Sequence, residues 1–169
     1  MTPAFFRRRL VLALGAVALA SPLAGCGFQL RGPRPLAFDT IYLGVSAYST
    51  LGTALRRQVE TSGTTRVVDE AAQAAVRLEI LRNEQTREIL TLTGAGKVRE
   101  YQLQHLIRFR LVDRAGTELI PPTAIAATRE YNYDDSQVLA KEQEAALLYR
   151  DMQADLVQQL MRRLAAVKT

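Results

Sequence analysis

The clearest alternation in the chain runs from Val98 to Asp113. Tyr101, Leu103, His105, Ile107, Phe109 and Leu111 fall on one side. Gln102, Gln104, Arg108 and Arg110 dominate the other, interrupted by Leu106. A period of two over such a length predicts a half-buried antiparallel strand. Before it, Val76, Leu78 and Ile80 alternate with Arg77 and Glu79, which predicts a strand over 76–89 with a polar, exposed end. Ile41, Leu43 and Val45 alternate with Tyr42 and Gly44, so a first strand is expected over 38–45, and a last one over 123–133. Thr93-Gly94-Ala95-Gly96-Lys97 and Arg114-Ala115-Gly116 read as the turns between strands.

Two stretches change period. Leu51, Leu55 and Val59 recur every fourth residue after the capping candidates Ser49 and Thr50, and Ser62-Gly63 stops the run. That is a helix to about Thr61. The second is longer, over about 137–166. Ala145, Tyr149, Met152, Leu156, Leu160, Leu164 and Val167 form one stripe at steps of three and four, after the cap candidates Asp134, Asp135 and Ser136. Arg162, Arg163 and Lys168 suit the negative end of that helix. Residues 65–68 read as a short extended piece, and 70–75 carry no decisive pattern. The order strand, helix, strands, helix predicts an α+β fold: two amphipathic helices packed on one face of a mostly antiparallel sheet of about four strands.

The N-terminus has a different character. Arg7, Arg8 and Arg9 precede an apolar run over 10–20, which is too short to span a bilayer as a helix. Ser21-Pro22 breaks the run, and Leu23-Ala24-Gly25-Cys26 follows. That layout is a secretory signal. Ending on cysteine, it resembles the bacterial lipobox, which implies a diacylglyceryl group on Cys26 and cleavage before it. The organisation expected is a signal peptide over 1–25, a lipidated Pro/Gly tether over 26–35 and one domain over 36–169. Gly27, where lipoproteins kept at the inner membrane often carry Asp, favours outer-membrane sorting.

Charge then reads differently. The chain has 22 basic and 17 acidic residues, but three of the arginines lie in the signal, leaving 19 against 17. That balance does not support a nucleic-acid role. Cys26 is the only cysteine, so neither a disulfide nor a thiolate metal site is expected. No catalytic constellation stands out. His105, the only histidine, lies on the apolar face of its strand and reads as a satisfied core or edge residue rather than a general base. Gly94-Ala95-Gly96-Lys97 lacks the spacing of a phosphate loop, and Asp134-Asp135 reads as a helix cap. A non-enzymatic binding protein with no cofactor and no metal is expected. Lys97, Arg99 and Lys141 are candidates for anionic phosphates or carboxylates. Arg108, Arg110, Tyr131 and Tyr133 are candidates for contact with a partner, the two tyrosines reading equally as a contact edge or as core.

These stretches also carry a resemblance. Cys26-Gly27-Phe28-Gln29-Leu30-Arg31-Gly32 after the lipobox, Glu100-Tyr101-Gln102-Leu103, Val138-Leu139-Ala140-Lys141-Glu142 and Leu148-Tyr149-Arg150-Asp151-Met152 resemble, in order, the LPS-assembly lipoprotein family LptE. The resemblance implies an outer-membrane lipoprotein that sits as a plug in the LptD β-barrel, supporting its assembly and lipopolysaccharide delivery to the outer leaflet. It also implies lipopolysaccharide contacts at the hairpin loop and the start of the last helix. Lys141 matches the helix position. The hairpin position holds Gly94 to Gly96, with Lys97 shortly after. The alternative expectation is a lipid-anchored binding or accessory module of another envelope system.

Overall fold

The computed structural model describes residues 35–168. The signal segment, Cys26 and the tether up to residue 34 lie outside the described residues. Among the described residues no helix is long and apolar enough to cross a membrane.

The first strand, β1, covers Thr40–Gly44 and buries Ile41 and Leu43. Helix α1 follows at Thr50–Thr61. Ser49 caps it: its hydroxyl oxygen accepts from the Gly52 N–H at 3.0 Å and its O–H donates to the Ser46 carbonyl at 2.7 Å. This tight cap explains Gly52, where a Cβ would run into the Ser46 carbonyl oxygen. Leu51, Leu55 and Val59 are the buried stripe, as their spacing requires. The chain then forms β2, Arg66–Val68, a single 3-10 turn at Ala71–Gln73, and the long strands β3 (Val76–Leu92), β4 (Val98–Asp113) and β5 (Glu118–Asn132). Asp134 accepts from the Ser136 N–H and hydroxyl, at 2.9 and 2.8 Å, and starts a 3-10 turn that leads into α2, Val138–Leu164.

The strands form one sheet in the order β2-β1-β3-β4-β5. This corrects the expected sheet of about four mostly antiparallel strands. Among the described residues there are five, and β1 runs parallel to both β2 and β3, whereas β3, β4 and β5 are antiparallel. Two physical reasons account for the difference. β2 has three residues and therefore no period to recognise. A strand that reaches its neighbour through a helix, as β1 does through α1, must return parallel.

One irregularity decides where the core stops. β3 pairs with β4 as Ile80 with Phe109, then as Arg82 with Arg108, so Leu81 is an extra residue. Such a bulge shifts the alternation of every residue after it. Up to Ile80, the helix-facing residues of β3 are Val76, Leu78 and Ile80. Beyond the bulge, Asn83, Gln85, Arg87 and Ile89 stand opposite Ile107, His105, Leu103 and Tyr101. The core joins β1, α1, the start of β3, the odd-numbered residues of β4 from Leu103 to Leu111, and the α2 stripe Ala145, Met152, Leu156, Val157, Leu160 and Leu164. Residues 81–90 of β3 are exposed throughout. Strand β5 begins earlier than the sequence pattern suggested and takes in Pro121 and Pro122, which a sheet edge tolerates.

A cation-lined cleft at the hairpin end

The turn between β3 and β4 is closed by its own backbone. The Thr93 N–H donates to the Lys97 carbonyl at 2.7 Å and the Gly96 N–H to the Thr93 carbonyl at 2.9 Å. Gly96 has φ +77°, a conformation that favours glycine. At the same end of the sheet, the Tyr133 N–H donates to the Arg99 carbonyl at 2.9 Å, holding the exit of β5 against the start of β4.

Between this turn and the start of α2 lies an open cleft of about 540 Å³, lined by Lys97, Arg99, Tyr133, Asp134, Asp135 and Lys141 among others. Lys97 Nζ is 3.4 Å from an Asp135 carboxylate oxygen and remains largely exposed, at 69%. Lys141 Nζ is 2.8 Å from Glu144 on the same helix and only 20% exposed. The Arg99 guanidinium has no hydrogen-bond or ion-pair partner among the described residues. The Asp134 carboxyl is held below its ordinary range, first by the Ser136 N–H, then by the Ser136 hydroxyl, with Lys141 and Lys97 adding to the effect. Both lysines are therefore felt at one point of the cleft, although they stand on different elements. Three cations against two aspartates leave the lining positive.

A second set of contacts fixes α2 over this end. Arg87 on β3 reaches Glu142 on α2 at 2.7 Å and the Tyr131 hydroxyl at 3.4 Å, and its guanidinium lies 4.8 Å from the centre of the Tyr101 ring. Tyr101 stacks on Tyr131 at 5.8 Å and meets Tyr133 edge-on at 5.1 Å. The Arg87 pKa is raised, chiefly by its bond to Glu142 and then by Tyr131. Glu142 adjoins Lys141, so this network sets where Lys141 sits. Alternation in the sequence placed Tyr101 on the core face, but nothing marked Arg87, which stands in a strand end that reads as solvated.

Of the residues singled out by sequence, the fold brings Lys97, Arg99, Lys141 and Tyr133 to one cleft. It does not bring the others there. Tyr131 is 5% exposed and sits in the core, one of the two placements its sequence leaves open. A strand's alternation names a face, and here that face is the one the helices cover. Arg108 and Arg110 stand on the opposite face of β4. Arg110 is held between Glu79 at 2.7 Å and Glu118 at 3.3 Å, and Arg108 is exposed opposite Arg82. His105 is fully buried, with Nε2 2.7 Å from the Asn83 side-chain oxygen and Nδ1 unpartnered. Burial lowers its pKa. Among the described residues no group of three or more His, Cys, Asp or Glu side chains is placed to hold a metal ion.

These features define a small α+β domain with a cation-lined cleft between a hairpin turn and a helix start. The model of the family described as "LptE: Lipopolysaccharide-assembly" matches residues 38–164. An LPS-assembly lipoprotein LptE of Pectobacterium atrosepticum is 30% identical over 163 residues, covering 95% of this chain and 86% of that protein. One of Yersinia enterocolitica is 31% identical over 168 residues, covering 95% and 77%. Among solved structures, an uncharacterized lipoprotein B of Nitrosomonas europaea has a TM-score of 0.69 at 36% identity, covering 83% of this chain and 91% of that one. A rare lipoprotein B of Shewanella oneidensis has a TM-score of 0.66 at 26% identity, covering 76% and 95%. The chain belongs to the LptE family of envelope lipoproteins, whose work is lipopolysaccharide assembly.

Proposed function

We propose that this protein is anchored in the outer membrane through lipid on Cys26 and binds the anionic part of lipopolysaccharide in the cleft of Lys97, Arg99 and Lys141. In this reading it also accompanies an LptD-type β-barrel as its plug, supporting barrel assembly and delivery of lipopolysaccharide to the outer leaflet. The observation that carries the reading is the convergence of Lys97, Arg99 and Lys141 from two elements onto one open cleft. Clustered ammonium and guanidinium groups make charge-assisted bonds to phosphate, and a bidentate arginine adds direction. The lipid anchor follows from acyl-chain burial at about 0.8 kcal/mol per methylene, which two or three chains on one residue multiply into lasting attachment. The open sheet face, with Gln102, Gln104 and Arg108, suits a polar lumen.

The test is the full chain with Lys97→Ala, Arg99→Ala and Lys141→Ala together, expressed in an envelope that holds the barrel. Lipopolysaccharide captured with the purified protein is expected to fall about tenfold or more, while the barrel still co-purifies. Unchanged capture would remove the cleft from the reading. Loss of the barrel with capture intact would reverse the assignment of the two surfaces.

A further inference from the structure

Three carboxylates border the cations of the cleft, and they are committed to different degrees. Asp134 accepts from the Ser136 N–H and hydroxyl at 2.9 and 2.8 Å, so it belongs to the cap of the 3-10 turn before α2. Glu144 meets Lys141 at 2.8 Å, three residues away on the same helix, and so orients that lysine from within α2. Asp135 is tied to neither a cap nor its own helix. Among the described residues its one partner is Lys97, which stands on the hairpin turn between β3 and β4. Their separation is 3.4 Å, longer than the about 2.7–2.9 Å of a close ammonium–carboxylate bond. Both side chains are more than half exposed. Arg99, which lines the same cleft, has no carboxylate partner among the described residues.

A loose, solvated pair of this kind adds little to the fold, yet it bears directly on binding. The inference rests on the reading of the cleft as an anion site given above. A ligand's phosphate and the Asp135 carboxylate then seek the same ammonium group. Lys97 is competent only for the fraction of time it is free of Asp135, and the apparent affinity is reduced by that fraction. Arg99 carries no such competitor. A protein of lipopolysaccharide assembly has to pass the glycolipid on, so a site that gives up its ligand suits the task better than one that keeps it. We propose that Asp135 is an internal counter-anion of the cleft: it competes with the ligand's phosphate for Lys97 and holds the affinity below what the three cations alone would give.

The full chain in detergent, titrated with purified lipopolysaccharide, tests this. Asp135→Asn keeps the size of the side chain and removes its charge. It is expected to bind about threefold to fivefold more tightly, the range that losing one exposed pair accounts for. A gain in affinity is an outcome that a misfolded variant does not give. Lys97→Ala is expected to weaken binding. Added to Lys97→Ala, Asp135→Asn is expected to change the affinity by less than about twofold, because the lysine in contest is gone. Unchanged affinity in Asp135→Asn, with Lys97→Ala still weakening binding, overturns the proposal and leaves the cleft reading standing. A full gain that persists without Lys97 overturns it too, since Asp135 would then act by repulsion at a distance. If neither single change moves the affinity, the cleft reading falls and this inference falls with it.

Discussion

Strands β3 and β4 pass through two environments, and the two ends of the same hairpin teach different things. At one end, Leu78, Phe109 and Leu111 are fully buried against α1 and α2. At the other, residues 81–90 are exposed and carry charges on both faces. What separates them is Leu81. The bulge turns the leucine-bearing face of β3 away, and the core-side positions after it hold Asn83, Gln85 and Arg87. One end is stabilised by apolar burial. The other holds its shape with the Arg87–Glu142–Tyr131 contacts and the tyrosine stack, and gathers the cations of the cleft.

The largest expected effect lies in the buried end. Phe109→Ala removes a ring with no solvent exposure and leaves a cavity between the sheet and the helices. It is expected to cost about 3–5 kcal/mol in a denaturant titration. A loss under about 1 kcal/mol would mean that this end is not the stabilising half, and the contrast would fail.

Gly52→Ala comes next. Alanine raises helix propensity by up to about 1 kcal/mol, yet here its methyl group meets the Ser46 carbonyl oxygen of the capping loop. The clash is with backbone, so it does not relax by a rotamer change. A net loss of about 1–3 kcal/mol is expected, with α1 still helical by circular dichroism. A gain in stability would show that the cap is loose.

How far these two halves were legible from sequence follows the same division. α1 and β4 were readable because their periods are long and unbroken: Leu51, Leu55 and Val59 at steps of four, and Tyr101 to Leu111 at steps of two. The cap at Ser49 was readable too. The bulge was not, because Ile80-Leu81-Arg82 carries no mark of an extra residue, and with it the polar turn of the β3 face was hidden. β2 was too short to read, and the parallel pairing lay in the order of elements, not in any residue. Lys97, Arg99 and Lys141 were visible as single cations, but their convergence is a property of the fold. Arg87 had no signal at all.

His105 joins the two halves and brings a pH dependence. It is fully buried, with one ring nitrogen on Asn83 just past the bulge and the other unpartnered. Burial lowers its pKa below that of the unfolded chain. The unfolded chain therefore binds a proton first as the pH falls, and by linkage the stability His105 contributes in its neutral form is present above about pH 6.5 and lost on acidification through the folded pKa. Urea midpoints from pH 7.5 down to pH 5 are expected to fall, and the same series on His105→Gln to lose that component. Equal slopes in the two proteins would place the acid sensitivity elsewhere.

Arg87→Ala is expected to cost less than either core change. Its bridge to Glu142 is partly solvated, with side chains 38% and 50% exposed, so screening removes much of its worth. With the Tyr101 contact included, the expected loss is about 1 kcal/mol. The sharper readout is the cleft itself: releasing the start of α2 loosens Lys141, so lipopolysaccharide capture is expected to drop although none of the three cleft cations has been removed. Stability lost with capture intact would make this network structural only.

The smallest expected effect is the most diagnostic of the contrast. Lys97 and Asp135 form an exposed pair at 3.4 Å, with side chains 69% and 53% exposed. Such a pair holds little of the fold together, so Lys97→Ala should move Tm by no more than about 2 °C. The same change removes one of three cations from the cleft and is expected to reduce lipopolysaccharide capture, with Lys97→Arg restoring it. On that outcome the hairpin end carries binding with almost no share in stability; its turn is closed by the Thr93 and Lys97 backbone and not by the lysine side chain. A large fall in Tm would make Lys97 a structural residue and break the division between the two ends.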